Sequence, residues 1–403
     1  MKTILSLRLP SALMGVQRRA SSPCTDRGTP PRSHLTVCLH PDLKLVFSLL
    51  LGMVLLSGWA GAAPTDSLEF RDASEFVLLG KGFEDTPTRY SRLPLSLESR
   101  TRPPLWSLAQ NSAGLAVRFR TGSKTIACRW AVTGDVVMNH FAPTGIKGVD
   151  LYALVDGKWR YVNTGRPSGK ASTALLVDHM TGEEREYMLY LPLYDGVSSL
   201  EIGVEKNAFL SGPQVDSPRR TKPVVFYGTS ITQGGCASRP GMAYPAQLSR
   251  MLDRETINLG FSGNGQLDLE VAEAMASIDA SCFVIDCLPN VTVAQMNEKY
   301  VRFVEILREK HPETPLVLVE NLHYSSIFYD QYMASVISEE NHLLKELFKE
   351  MKRQGDRHLW YVSAKGLTGS DLEESVDGVH LTDLGFYRYT QNMVPLLRKL
   401  LRR

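Results

Sequence analysis

The 403-residue sequence predicts two joined folds: an antiparallel β-sandwich followed by an α/β domain on a parallel sheet. Three observations predict this. Apolar and polar residues alternate from about residue 70 to 205, strand-like runs beyond residue 222 are continuously apolar and separated by helical patterns, and a polar, proline-marked stretch divides the two regions. Period two means strands with one buried face, whereas continuously apolar strands need cover on both faces. A composition of 43% hydrophobic and 22% charged residues, with 31 glycines and 22 prolines, excludes disordered, collagen-like and long coiled-coil chains. One core seldom grows past about 250 to 300 residues, so two domains are expected.

Residues 1–63 read as a leader. Leu45 to Ala63 carries no charge, follows Lys44 and closes on Ala60-Gly61-Ala62, a small-x-small pattern suited to signal peptidase. Export with cleavage is expected, with a retained membrane anchor as the competing reading, since about 20 apolar residues can span a bilayer. The Ser-, Pro- and Arg-rich stretch before Lys44 is long for an n-region, so translation is expected to start downstream of Met1. The leader also distorts the charge. The whole chain has 45 basic and 43 acidic side chains; without the seven basic and two acidic ones of residues 1–63, the remainder is 38 against 41. No basic cluster tracks a phosphate backbone, so nucleic acid is not an expected partner.

The sandwich is assigned to residues 64–213. Leu115–Arg120, Thr125–Val132 and Ser199–Val204 alternate, and Leu151–Val155 and Lys158–Val162 flank Asp156-Gly157, a two-residue turn whose residues tolerate positive φ. Residues 211–220 punctuate the chain with Pro213 and Pro218. The α/β domain, 214–403, then has strands at Val224–Tyr227, Ser281–Asp286 and Pro315–Val319. Tyr300, Phe303, Val304 and Leu307 share one helical face, as do Leu344, Leu347, Phe348 and Met351, and Leu384–Leu401 forms the last helix.

In open parallel sheets ligands gather at the carboxyl ends of strands. The first strand runs into Gly228-Thr229-Ser230, a serine in a turn before a helix, which could be a nucleophile or simply a cap. Asn258 to Gly265 offers backbone N–H groups, and Cys287-Leu288-Pro289-Asn290 offers a side-chain amide. Asp377-Gly378-Val379-His380 places an acid three residues from a histidine, so the acid can fix the ring tautomer and leave the other nitrogen as a base. Asp371 and Glu373 lie nearby, but the spacing favours Asp377.

These blocks, in this order, resemble the SGNH (GDSL-type) hydrolases: Gly228-Thr229-Ser230 the nucleophile block, Gly263 the glycine block, Asn290 the asparagine block and Asp377-x-x-His380 the last block. Gly148-Val149-Asp150-Leu151-Tyr152 is similar to the GxDLY signature of the β-sandwich in one bacterial branch, and Asp286 to Asn290 is typical of it. The resemblance implies a flavodoxin-like hydrolase domain behind a jelly-roll-like sandwich. It also implies Ser230, His380 and Asp377 as the triad, and Ser230, Gly263 and Asn290 as the oxyanion donors. The sequence departs from the family where Thr229 replaces the aspartate before the serine and where Leu288-Pro289-Asn290-Val291 replaces Gly-x-Asn-Asp; Leu288 is expected to narrow the pocket.

The expected function is an exported serine esterase cleaving short acyl groups, acetyl above all, from small molecules or polysaccharide. The alternatives are a longer-chain esterase, lipase or thioesterase, and a glycan-binding protein with a relic triad. No cofactor is expected, and no metal, because no His, Asp or Cys cluster has ligand spacing. Glu320, at a strand end, and His323 are candidate substrate contacts or plain loop residues, and so are His140 and Asn139 from the sandwich. Trp106, Trp130 and Trp159 are read as core rather than a sugar platform. Cys282 and Cys287 point to opposite faces of a strand and cannot pair; Cys236 and Cys287 are either bridged or buried thiols.

Overall fold

The computed structural model describes residues 65–402, so the leader, its cleavage site, Cys24 and Cys38 lie outside the described residues. The Asp156-Gly157 hairpin forms as its sequence predicts. Both turn residues take positive φ (51° and 70°), and they join β5 (Val149–Val155) to β6 (Lys158–Gly165). Around it two antiparallel sheets stack. One runs β1 (Leu68–Asp72), β9 (Val197–Glu205), β4 (Ile126–Val132), β7 (Ala171–Val177). The other runs β10 (Leu210–Ser211), β3 (Ala116–Thr121), β8 (Arg185–Tyr190), β5, β6, with β2 (Val77–Leu79) also on β3. Alternate residues of both sheets, among them Val117, Phe119, Cys128, Trp130, Leu151, Leu189 and Ile202, meet in one buried core.

The second sheet is wholly parallel, in the order β12 (Arg254–Gly260), β11 (Arg219–Gly228), β13 (Cys282–Asp286), β14 (Leu316–Val319), β15 (Leu359–Val362). Its side chains divide by parity. Val225, Tyr227, Phe283, Ile285, Leu316 and Leu318 pack on one face with Val271, Ala272, Phe303 and Leu307, whereas Val224, Phe226, Cys282, Val284, Val317 and Val319 pack on the other with Tyr244, Leu248, Phe386 and Tyr389. Both faces are covered, which is why these strands read as unbroken apolar runs. This is the flavodoxin-like order, with a switch point where β11 lies between β12 and β13.

The stretch between β2 and β3 bridges the two cores, with Tyr90 in that of the sandwich. Residues 80–113, between β2 and β3, belong to the sandwich by sequence position, yet Phe83, Leu93, Leu97, Leu105 and Ala109 pack in the α/β core beside Ile257 and Val271. The excursion has little regular structure beyond helix α1 (Pro103–Ala109), so local periodicity carries no sign of where it docks. Ion pairs Arg102–Asp268 and Arg100–Glu273 hold it there. Trp130 is core as expected, while Trp106 packs against the α/β core and Trp159 donates to Ser217 Oγ; they form no common platform. Among the described residues no helix is long and apolar enough to cross a membrane.

At the root of this dock the buried Glu255 accepts a hydrogen bond from Gly80 N at 2.6 Å. Burial outweighs that bond and pushes the carboxyl up to about 7 from 4.5. A carboxyl raised in the folded state favours the fold at low pH and loses that contribution as pH climbs from about 4.5 through about 7. Glu255→Gln, which keeps the acceptor oxygen, is therefore expected to match wild type near pH 4.5 and exceed it above pH 7 by roughly 3 kcal/mol. Denaturant melts at both pH values check this, and a difference independent of pH would contradict it.

Candidate active site

The site is assembled from turns at the carboxyl ends of β11, β12 and β13. β11 delivers Gly228 and Thr229 into a one-turn helix, α2 (Ser230–Gln233), which closes at Gly234 with φ 111°. Thr229, not Ser230, caps it, accepting from Ile231 N. The Ser230 hydroxyl is thus spared the capping role, and its backbone N–H, in the first turn, has no acceptor within the helix. The glycine loop after β12 rests directly on this turn, since a Cβ at Gly265 would collide with the Gly228 carbonyl. Arg102 reaches Asn264 Oδ1 at 2.7 Å, and Gln233 Oε1 accepts from Ser262 N at 2.9 Å, so Gly263 stands between two fixed neighbours. Asn290, after β13, accepts from Gly265 N through Oδ1 at 3.3 Å. Its Nδ2 is left as a donor on the other side.

The last block approaches from the loop before the final helix. His380 Nε2 lies 3.0 Å from Ser230 Oγ, and His380 Nδ1 lies 2.8 Å from Asp377 Oδ2. The other carboxylate oxygen accepts from the backbone N–H of His380 (2.8 Å) and Val379 (3.1 Å). Burial pushes the Asp377 carboxyl up, but these bonds outweigh it and hold the group below the ordinary carboxylate value. An ionised Asp377 requires N–H at Nδ1, which leaves Nε2 as the lone-pair acceptor facing Ser230. Asp371, the nearby alternative, is taken by Arg388 at 2.6 and 2.8 Å.

Beneath the turn, Asp286 accepts from Tyr244 (2.9 Å) and Tyr389 (2.8 Å), and Thr232 meets the Tyr244 hydroxyl at 3.0 Å. Burial raises Asp286 to about 6 despite both bonds. The sandwich supplies the remaining wall. Asp195 accepts from Gly134 N (2.8 Å) and Val136 N (3.0 Å) and fixes the loop that carries His140, whose ring lies 5.6 Å from that of His380. His140 thus reaches the site, the less expected of its two readings. The fully buried Asp150 explains the GxDLY motif: it accepts from Arg239 Nη1 (2.8 Å), Gly241 N (3.0 Å) and Thr164 (2.6 Å), while the Tyr152 hydroxyl accepts from Arg239 at 2.6 Å. The motif is a clamp on the loop just past the Ser230 turn.

Other candidates lie elsewhere. Glu320 is turned inward: Tyr361 and Ser363 donate to its two oxygens, and Ala364 N adds a bond of 2.7 Å, so it ties β14 to β15. His323 is exposed on the loop after β14. Leu288 is 1% exposed and packs in the α/β core, so it does not narrow the pocket. Cys128, Cys236, Cys282 and Cys287 are buried free thiols, the second of the two readings for Cys236 and Cys287. Residues that sequence reasoning missed are Gln233, Arg239 and Tyr194, whose hydroxyl donates to the Ser230 carbonyl at 3.2 Å; they act through long-range contacts that have no sequence period, and only the GxDLY resemblance hinted at Arg239's partners.

The GDSL-like lipase/acylhydrolase family profile matches residues 221–398, and the GxDLY profile, described as the N-terminus of SGNH-hydrolase-type esterases, matches residues 68–210. Among solved structures the chain is similar to a candidate GDSL-like lipase from Bacteroides ovatus: 37% identity and a TM-score of 0.79 over 83% of this chain and 98% of that one. A salicylyl-acyltransferase from a tetracycline biosynthetic pathway shares the fold at 18% identity and TM-score 0.67, covering 84% of this chain and 98% of its own. So does a family two carbohydrate esterase from Cellvibrio japonicus at 12% identity and TM-score 0.53, covering 83% and 98%. No curated protein sequence matches significantly. Identity of 37% across nearly the whole Bacteroides protein, with both profiles in order, means that the chain belongs to the GDSL-like (SGNH) lipase/acylhydrolase family, in the branch with an N-terminal GxDLY domain.

Proposed function

We propose that the protein is an exported serine esterase that removes short acyl groups, acetyl above all, from carbohydrate. One observation carries the reading: the unbroken relay Asp377–His380–Ser230, with contacts of 2.8 and 3.0 Å. Ser230 Oγ attacks the ester carbonyl carbon as its proton passes to His380 Nε2. The tetrahedral oxyanion accepts from Ser230 N, Gly263 N and Asn290 Nδ2, and Asp377 stabilises the imidazolium. Collapse breaks the C–O bond to the sugar, whose oxygen takes the proton from His380. Water, activated by the same base, then hydrolyses the acyl-enzyme. Residues 214–403 do the chemistry; residues 64–213 brace it and bring His140 to the acyl or sugar side, and the leader of residues 1–63 directs export. The carbohydrate part of the reading draws on the carbohydrate esterase that shares the fold.

Asn290→Ala is expected to lower kcat about 10²- to 10³-fold with little change in KM, because its donor meets charge that develops only in the transition state. A change confined to KM would remove Asn290 from this role. The whole reading is tested with p-nitrophenyl acetate, butyrate and octanoate, alongside mass mapping after a fluorophosphonate label. Rates falling with chain length and an adduct on Ser230 are expected. Octanoate outpacing acetate would move the substrate to longer acyl chains. No adduct, no turnover and retained affinity for glycan would leave a binding protein.

A further inference from the structure

Ligand spacing is absent from the sequence, yet the fold brings three ligand-type side chains from distant segments to one point. The donor atoms of His140, Cys236 and His380 all lie within 4.8 Å of one another. Two further features fit a metal site. His380 Nδ1 is held by Asp377 at 2.8 Å and His140 Nδ1 by Asn139 Oδ1 at 3.1 Å, so each ring donates from Nδ1 and presents the Nε2 lone pair. Such outer partners fix tautomer and orientation in imidazole sites for metals. Cys236 supplies a soft sulfur, and its conformation is unusual, with φ 71° in a non-glycine residue. Bonds on both sides hold it there: Gly235 N donates to the Ser230 carbonyl at 2.7 Å, and two residues further on Thr144 donates to the Ser238 carbonyl at 2.6 Å and Ser238 N donates to Asp383 at 2.9 Å.

We propose that His140, Cys236 and His380 form an inhibitory site for a soft divalent cation, with zinc the ion that fits. Two imidazoles and one thiolate are a zinc donor set; tetrahedral bonds of about 2.0 to 2.3 Å put donors roughly 3.3 to 3.6 Å apart, so atoms now within 4.8 Å must draw in by up to roughly 1.5 Å. The exposed His140 side chain is the one free to close that gap. Burial and the charge of Asp377 push the Cys236 thiol up to about 12, so the metal-free protein holds it as S–H. On binding, the S–H bond breaks, its proton leaves to solvent, a sulfur–zinc bond forms, and two imidazole lone pairs complete three ligands, with water as the fourth. The lone pair that His380 donates to zinc is the one that accepts the Ser230 proton. Occupancy therefore removes the general base, which makes zinc an inhibitor and not a cofactor. The inhibitory part rests on the proposed triad; the site itself does not.

Cobalt(II) titration, read as the near-ultraviolet thiolate-to-metal charge-transfer band, separates the two. The band is expected in wild type and in Ser230→Ala, absent in Cys236→Ser, and shifted to at least about tenfold higher cobalt in His140→Ala. In parallel, zinc is expected to inhibit p-nitrophenyl acetate hydrolysis, with at least about tenfold more zinc needed for Cys236→Ser. No band, or a band that persists in Cys236→Ser, overturns the site. A band as expected with turnover indifferent to bound zinc overturns the inhibition. A persistent band with Ser230→Ala still active would refute the triad while leaving the site in place.

Discussion

Ser230→Ala is expected to lower kcat by about 10⁵- to 10⁶-fold while the melting temperature stays at its wild-type value. The fold should not notice the change, because Thr229 makes the cap and the Ser230 side chain bonds to His380 alone among the described partners. The chemistry should fail almost completely, since among the described residues Ser230 Oγ is the oxygen bonded to His380 Nε2, at 3.0 Å. Members of such a relay act as a unit, so their losses do not add. Ser230→Ala with His380→Ala should be no slower than Ser230→Ala alone, and what remains in both should be the modest acceleration from the oxyanion donors and binding. Single-turnover rates with p-nitrophenyl acetate measure this. A loss under tenfold in the single variant, or a further large loss in the double variant, would place the nucleophile elsewhere.

The parts of this molecule that were legible in sequence are those with a short period or a local turn. The Asp156-Gly157 hairpin, the alternation in β3, β4 and β9, and the continuous strands β11, β13 and β14 each follow from what one segment must bury or how one turn must bend. Asp377 could be paired with His380 because only two loop residues separate them. Contacts made between segments distant in sequence left no such trace. Residues 80–113 read as a stretch of sandwich because nothing local shows that Leu93 and Leu97 find their partners on the α/β sheet. Glu320 was correctly placed at a strand end, but its direction was set by Tyr361 and Ser363 on the next strand. His140 reached the site through a loop braced by Asp195, and Cys236 lies beside it through the Ser238 and Asp383 tethers. The candidate catalytic blocks are thus local features, whereas the walls around them are products of docking between the two halves.

That docking buries one cation, and Arg92→Leu is expected to cost about 3 to 5 kcal/mol of stability. Arg92 is 3% exposed and donates to four carbonyls: Leu108 (2.7 Å) and Asn111 (2.8 Å) on its own excursion, and Asn258 (3.0 Å) and Gly260 (2.7 Å) on β12. Its guanidinium also lies 4.9 Å from the ring centre of Phe261. Burial pulls its pKa down to about 9, still far enough above neutral that the group remains charged at pH 7. The forked donors are what the position needs, because each carbonyl lies in a different direction and no carboxylate is among its hydrogen-bond partners. Leucine would fill the space but leave the carbonyls of Asn111, Asn258 and Gly260 without this donor, that of Leu108 keeping Asn111 N, and lysine could not span all of them, so Arg92→Lys should recover only part of the loss. The end of β12 that Arg92 holds leads directly to Ser262 and Gly263, so the variant should also lose kcat well below its unfolding midpoint. Guanidinium melts and turnover on the same samples measure both effects, with the exposed Arg302→Leu as a substitution of the same type that should be nearly silent. If Arg92→Leu melts within 1 kcal/mol of wild type, water has replaced the guanidinium and the excursion is held by its apolar contacts alone.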